Sequence, residues 1–84
     1  MQKSFYYLVP CSRSARLIRK FRRHGIVFEV ESIRNSDNVR FVFPDLLVKQ
    51  YHVVHLVFGH SGFTYPAPEE KRLIVAQNVQ QPLR

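Results

Sequence analysis

Phe5-Tyr6-Tyr7-Leu8-Val9-Pro10-Cys11-Ser12-Arg13-Ser14-Ala15-Arg16 is the stretch on which the fold turns. Its apolar run predicts a strand over residues 4–9, and the lack of polar alternation marks it as a central strand. Pro10 stops the strand. A helix is predicted over 12–24, with Ser12 as N-cap and Ala15, Leu17, Ile18 and Phe21 as its apolar stripe. His24-Gly25 ends it, glycine being suited to a left-handed cap. A second strand follows over 26–33, where Val27, Glu29 and Glu31 alternate with Ile26, Phe28, Val30 and Ser32. A strand, a helix and a strand with so short a return imply a right-handed crossover and a parallel pair.

Cys11 is the only cysteine of the 84 residues, and it stands at the strand-to-helix junction. The unpaired N–H groups and the positive dipole end of a helix favour thiolate over thiol at such a place, as at a redox cysteine. A single cysteine excludes internal disulfides and any Cys-only zinc site, and it fits a reducing compartment. No apolar run approaches the ~20 residues of a membrane span, and Met1-Gln2-Lys3 leads into a strand pattern rather than a signal peptide. A cytoplasmic, membrane-free protein is the expectation.

The charge is uneven. Residues 1–24 carry Lys3, Arg13, Arg16, Arg19, Lys20, Arg22 and Arg23 with no acid, while 25–84 carry six basic and six acidic side chains. The whole excess of +7 therefore lies on the first helix and its approach. A basic face of this kind suits an acidic protein, a nucleic acid or an anionic surface, or is simply a solvated face. Tyr6, Tyr7 and Phe21 fit strand and core positions, and no RNP or KH signature is present, which makes nucleic acid the less favoured partner.

The composition, 45% hydrophobic and 13% aromatic, is enough for one small core. Asn35-Ser36-Asp37-Asn38 reads as a turn and 39–43 as a strand ending at Pro44. Residues 45–50 read as a short helix with Pro44 at N1. Val53-Val54-His55-Leu56-Val57-Phe58 reads as another buried strand, and 63–65 as a short edge piece after a turn. Residues 69–76 read as a final helix. The domain is expected to span 1–76, with 77–84 a loose tail.

In this order the pieces resemble the small glutaredoxin-like redoxins, above all the NrdH type that donates electrons to ribonucleotide reductase. The resemblance rests on Cys11-Ser12-Arg13-Ser14 at the head of a helix, on Gly25-Ile26-Val27-Phe28-Glu29, and on Val53-Val54 followed by His60-Ser61-Gly62-Phe63. It implies a thioredoxin-like α/β fold, a four-stranded mixed sheet flanked by three helices. It also implies catalytic roles for Cys11 and Ser14, and partner contacts through Ser61, Gly62 and Phe63. Three departures accompany it. Ser14 replaces the second cysteine, His52 stands where the family has its cis proline, and 39–43 are strand-like where the family has a helix. A non-proline cis bond costs ~3–4 kcal/mol, so a trans Tyr51–His52 bond is expected.

The chemistry left to such a site is monothiol exchange through a mixed disulfide. Cys11 would be the nucleophile, Ser14 its hydrogen-bond partner, and Ser12, Arg13 and His52 its surroundings. Glutathione is the only small co-reactant this chemistry suggests, and it or a thioredoxin-reductase-type enzyme would be the electron source for a monomeric protein. Cys11 and His52 of one chain alone offer too few ligands for a metal, and zinc or an iron–sulfur cluster there would need a second protomer. The alternative function is a non-catalytic binding or regulatory module. It would dock a disulfide-bearing or acidic protein, or nucleic acid, through Arg13, Arg16, Arg19, Lys20 and Arg23.

Overall fold

A computed structural model describes residues 1–66 of the chain. The elements run β1 (Phe5–Pro10), α1 (Cys11–Arg23), β2 (Glu29–Ser32), β3 (Asn38–Phe43), α2 (Val48–Phe58) and β4 (Phe63–Thr64). The four strands form one sheet in the order β2-β3-β1-β4, and every neighbouring pair is antiparallel. This is the split βαβ topology of ferredoxin-like folds. The α/β class, the four strands, the interior place of β1 and the edge piece at 63–64 agree with the sequence reading.

The expected parallel pair is not formed. β1 and β2 point the same way, but β3 lies between them, antiparallel to both. The cause is local. Asn35 adopts a left-handed φ of 58° and Ser36 Oγ accepts the Asn38 N–H at 3.0 Å, so 33–37 turn the chain straight back. The turn delivers β3, whose Phe41, Val42 and Phe43 are fully buried, into the middle of the sheet. A sheet with only antiparallel neighbours replaces the mixed one.

The second correction concerns residues 45–58. Of the expected short helix over 45–50 only 48–50 are helical, with extended Leu47 at the N-cap rather than Pro44 at N1. They run on through the expected strand over 53–58 as a single helix, α2, capped by Gly59 at φ 79° with its N–H on the His55 carbonyl at 2.7 Å. With β3 and β4 on either side of β1, the sheet interior has no further place for a strand. Among the described residues there are thus two helices; the expected helix over 69–76 and the tail lie outside them. The thioredoxin-like plan is departed from at both places, since 38–43 are a strand and 53–58 a helix. The Tyr51–His52 bond is trans, as expected.

α1 starts one residue before the expected Ser12 cap. Pro10 occupies the N-cap with φ −58° and ψ 139° and offers no side-chain cap. The Cys11 N–H is satisfied instead by the Asp37 carbonyl at 2.8 Å, from the β2–β3 turn. At the other end, Gly25 N–H bonds the Arg22 carbonyl and Ile26 N–H the Phe21 carbonyl, both at 3.0 Å, which is a Schellman cap with Gly25 left-handed. Leu17 and Phe21 are buried and Ile18 half-buried. Ala15, assigned to this stripe, is exposed, because 100° per residue puts it about 160° from Leu17.

Both helices cover one face of the sheet. There Tyr7, Val9, Phe41 and Phe43 pack with Leu17, Phe21, Ile26 and Val54. Phe21 meets Phe43 edge-on at 5.5 Å, and Tyr7 stacks on Phe58 at 3.9 Å. Such pairs add about 0.5–1.5 kcal/mol beyond buried area. Among the described residues the other face carries no helix; Tyr6 and Val42 are covered there by Tyr65.

Candidate functional site

β1 ends at Pro10 and aims the first turn of α1 out of the sheet, so Cys11 is the first helical residue and its side chain is exposed. The backbone N–H groups that open the helix surround this position. Ser14 does not turn to the sulfur: its hydroxyl donates to the Cys11 carbonyl oxygen at 2.7 Å, the usual back-bond of a helical serine. Ser12 and Arg13 are exposed in the same turn. His52 is exposed on α2, about six residues or ~9 Å along the axis from Phe58, the end of α2 that comes near β1 and Arg13. No contact with Cys11 is formed among the described residues, so His52 stands apart from the thiol. Nor do the described residues contain any cluster of three or more His, Cys, Asp or Glu side chains able to hold a metal.

The cations are gathered more tightly. Arg13, Arg16, Arg19, Lys20, Arg22 and Arg23 all lie on α1 and all are exposed. Leu17 and Phe21 take the face that meets the sheet, so the charges cover the rest of the cylinder. No acid stands in the first turn. Among the described residues the ion pairs are Lys3–Glu31 at 2.6 Å and Arg40–Glu31 at 3.2 Å, and neither involves α1.

Ser61 and Gly62 lie in the loop between α2 and β4, and Phe63 opens β4 opposite Tyr6, five residues before Cys11 in the chain. Tyr7, fully buried, donates its hydroxyl to the His60 carbonyl at 2.7 Å, and Tyr51 donates to Ser61 Oγ at 3.1 Å. Burial, aided by the nearby Tyr51 phenol, pushes the Tyr7 pKa above its ordinary value. Phe63 is half exposed and pairs with Tyr6. The loop is thus pinned to β1, and just after it Phe63 of β4 presents a large, half-exposed apolar side chain.

Comparison with protein-family models, curated proteins and solved structures gives no significant match.

Two features escaped the sequence reading. Glu31 lies on the sheet face away from α1 and α2, opposite Arg40 in the β2–β3 register. It accepts from Lys3, Arg40 and Tyr65. Partial burial raises its pKa, but hydrogen bonds from Lys3, Tyr65 and Arg40 outweigh this and hold it below the usual glutamate value. The signal was the turn at 35–38, which brings Glu31 and Arg40 opposite each other once it is read as a hairpin. The second is a groove between α1 and α2, invisible while 53–58 were read as a strand.

No helix among the described residues is long and apolar enough to cross a membrane.

Proposed function

We propose that this chain is a binding module that docks an anionic macromolecular surface through α1. The observation that carries this reading is the six exposed cations of α1, unpaired among the described residues. The arrangement costs stability in the free protein. Arg16 and Lys20, and Arg19 and Arg23, are like charges at i,i+4, each pair unfavourable by about 0.2–0.5 kcal/mol. Arg13 and Arg16 also sit toward the positive end of the helix dipole, although Lys20, Arg22 and Arg23 suit the negative end. A helix that served only to cover the sheet has no need of this, whereas an anionic partner turns each cation into a favourable contact and raises the association rate.

The test uses labelled polyglutamate and a labelled single-stranded oligonucleotide. Wild-type protein should bind at low salt and release as salt rises. R16E/R19E/R23E should lose that binding by roughly tenfold or more while keeping its circular dichroism, since all three side chains are exposed. Undiminished binding by the triple variant removes the proposal.

A second reading is favoured by one specific observation, the exposure of Cys11 at the first position of a 13-residue helix. In it the protein is a cytoplasmic monothiol exchanger with glutaredoxin-like chemistry carried on this antiparallel sheet. The Cys11 thiolate attacks a partner disulfide and forms a mixed disulfide while one partner sulfur leaves as thiolate. Glutathione then attacks the mixed disulfide and frees Cys11. Ribonucleotide reductase and a thioredoxin-reductase-type enzyme belong to this reading through the redoxin resemblance alone. The rate of Cys11 alkylation against pH is the check: a midpoint at or above the ~8.5 of a free cysteine eliminates it.

A further inference from the structure

The side of α1 that faces α2 carries Arg13, Leu17, Lys20 and His24, which recur every three or four residues and share one helix face. Opposite them α2 presents Val53, Leu56 and Val57. Lys20 and His24 border a hollow of about 260 Å³ floored by those three aliphatic side chains. A smaller hollow of about 90 Å³, bordered by Arg13 and Leu17, continues it, and Val57 lines both. The two form one groove along the helix pair. From Arg13 to His24 it runs eleven residues, about 16 Å. Arg16 and Arg23 lie within about 60° of Lys20 around the helix and so stand on its lip. Of the three aliphatic side chains, Leu56 is 68% exposed, an unusual place for leucine on a helix whose neighbour is so strongly charged.

We infer that this groove receives an acidic amphipathic helix of a partner protein, its apolar residues on Val53, Leu56 and Val57 and its carboxylates on Arg13, Arg16 and Lys20. The inference rests on the docking reading above and names its partner. Charge complementarity selects acid. The lining selects protein over nucleic acid: bases are held by stacking on aromatic rings, but the larger hollow is lined only by aliphatic side chains, Lys20 and His24. Phe58, the one aromatic ring in the smaller hollow, already has a face stacked on Tyr7 at 3.9 Å. A stripe of apolar side chains at i, i+3, i+4 and i+7 is the ligand that a helix-lined apolar groove takes.

The probes are a synthetic peptide with Leu at those helical spacings and Glu elsewhere, the same composition scrambled to destroy the stripe, polyglutamate, and a single-stranded oligonucleotide. The patterned peptide should bind roughly tenfold tighter than its scramble, the worth of one buried leucine. L56S, a change at an exposed position, should abolish that preference and leave polyglutamate binding intact. Methyl NMR shifts should move at Val53, Leu56 and Val57 on adding the patterned peptide. Equal affinity for the two peptides, or a preference that survives L56S, overturns the groove while leaving the basic-helix reading standing. An oligonucleotide that displaces the peptide and binds more tightly assigns the surface to nucleic acid and overturns the inference. Binding to none of the four overturns both readings.

Discussion

A Cβ on Gly62 would lie 2.7 Å from the Tyr6 carbonyl oxygen and 2.9 Å from Tyr7 Cε1. Neither neighbour can yield, one being backbone of a central strand and the other a fully buried ring. Gly25 presents the opposite case, with no atom within 4 Å of such a Cβ but with φ at +69°. Gly25→Ala is therefore expected to cost about 1 kcal/mol through backbone conformation alone. Gly62→Ala should cost more, about 2–3 kcal/mol, because packing must give way. Urea midpoints of the two variants decide the matter. A Gly62→Ala protein no less stable than Gly25→Ala would mean that the 59–62 loop does not rest on β1 as described. Gly62 thus has a structural duty whether or not Phe63 beside it meets a partner.

At the scale of elements, α2 is where the alternatives were closest. A run of β-branched and aromatic residues such as 53–58 is compatible with a buried strand or a buried helix segment, and periodicity alone does not separate them. The two differ in which neighbours share a face. In a strand Leu56 would point with Val54, two residues away; in α2 Val54 is fully buried while Leu56 is 68% exposed. Val54→Ala should then cost about 2 kcal/mol or more, and Leu56→Ala should change stability by no more than about 0.5 kcal/mol. Thermal melts of the pair test this. Comparable losses from both would return 53–58 to a strand, and the groove between the helices would vanish with it.

Glu31 acts on the scale of the whole molecule, because its carboxylate joins the chain start, the β2–β3 hairpin and the residue after β4 through Lys3, Arg40 and Tyr65. Its folded pKa lies below the ordinary 4.5, so the stabilisation is present above that value and is lost as pH falls through the folded value. Lys3 is shifted upward, chiefly by its hydrogen bond to Glu31, so its contribution fades only at strongly alkaline pH. Stability should be flat through neutrality with respect to this network and decline below about pH 4.5. Glu31→Gln should flatten that acid limb and cost about 1 kcal/mol at pH 7, an amount limited by the partial exposure of the pair. Melting temperatures from pH 3 upward, read as a difference between the two proteins, check it. An unchanged acid limb would show that Glu31 is not the titrating group.

By itself the sequence determined the local elements whose signals are short-range: the β1 run ended by Pro10, the α1 stripe closed by Gly25, the turn at 35–38, strand β3 and the concentration of cations on α1. Each is written in neighbouring residues, through fixed φ, side-chain period or charge. Only the tertiary structure decided which strands are neighbours and what 53–58 become. A crossover fixes the relative direction of β1 and β2 but not whether a gap is left between them, and β3 fills that gap because its three buried residues gain most in the sheet interior. The candidate site divides in the same way. Cys11 at a helix start and the basic face could be read directly, whereas the separation of His52 from the thiol, the diversion of the Ser14 hydroxyl to a carbonyl, and the groove along α1 and α2 follow from how the elements pack.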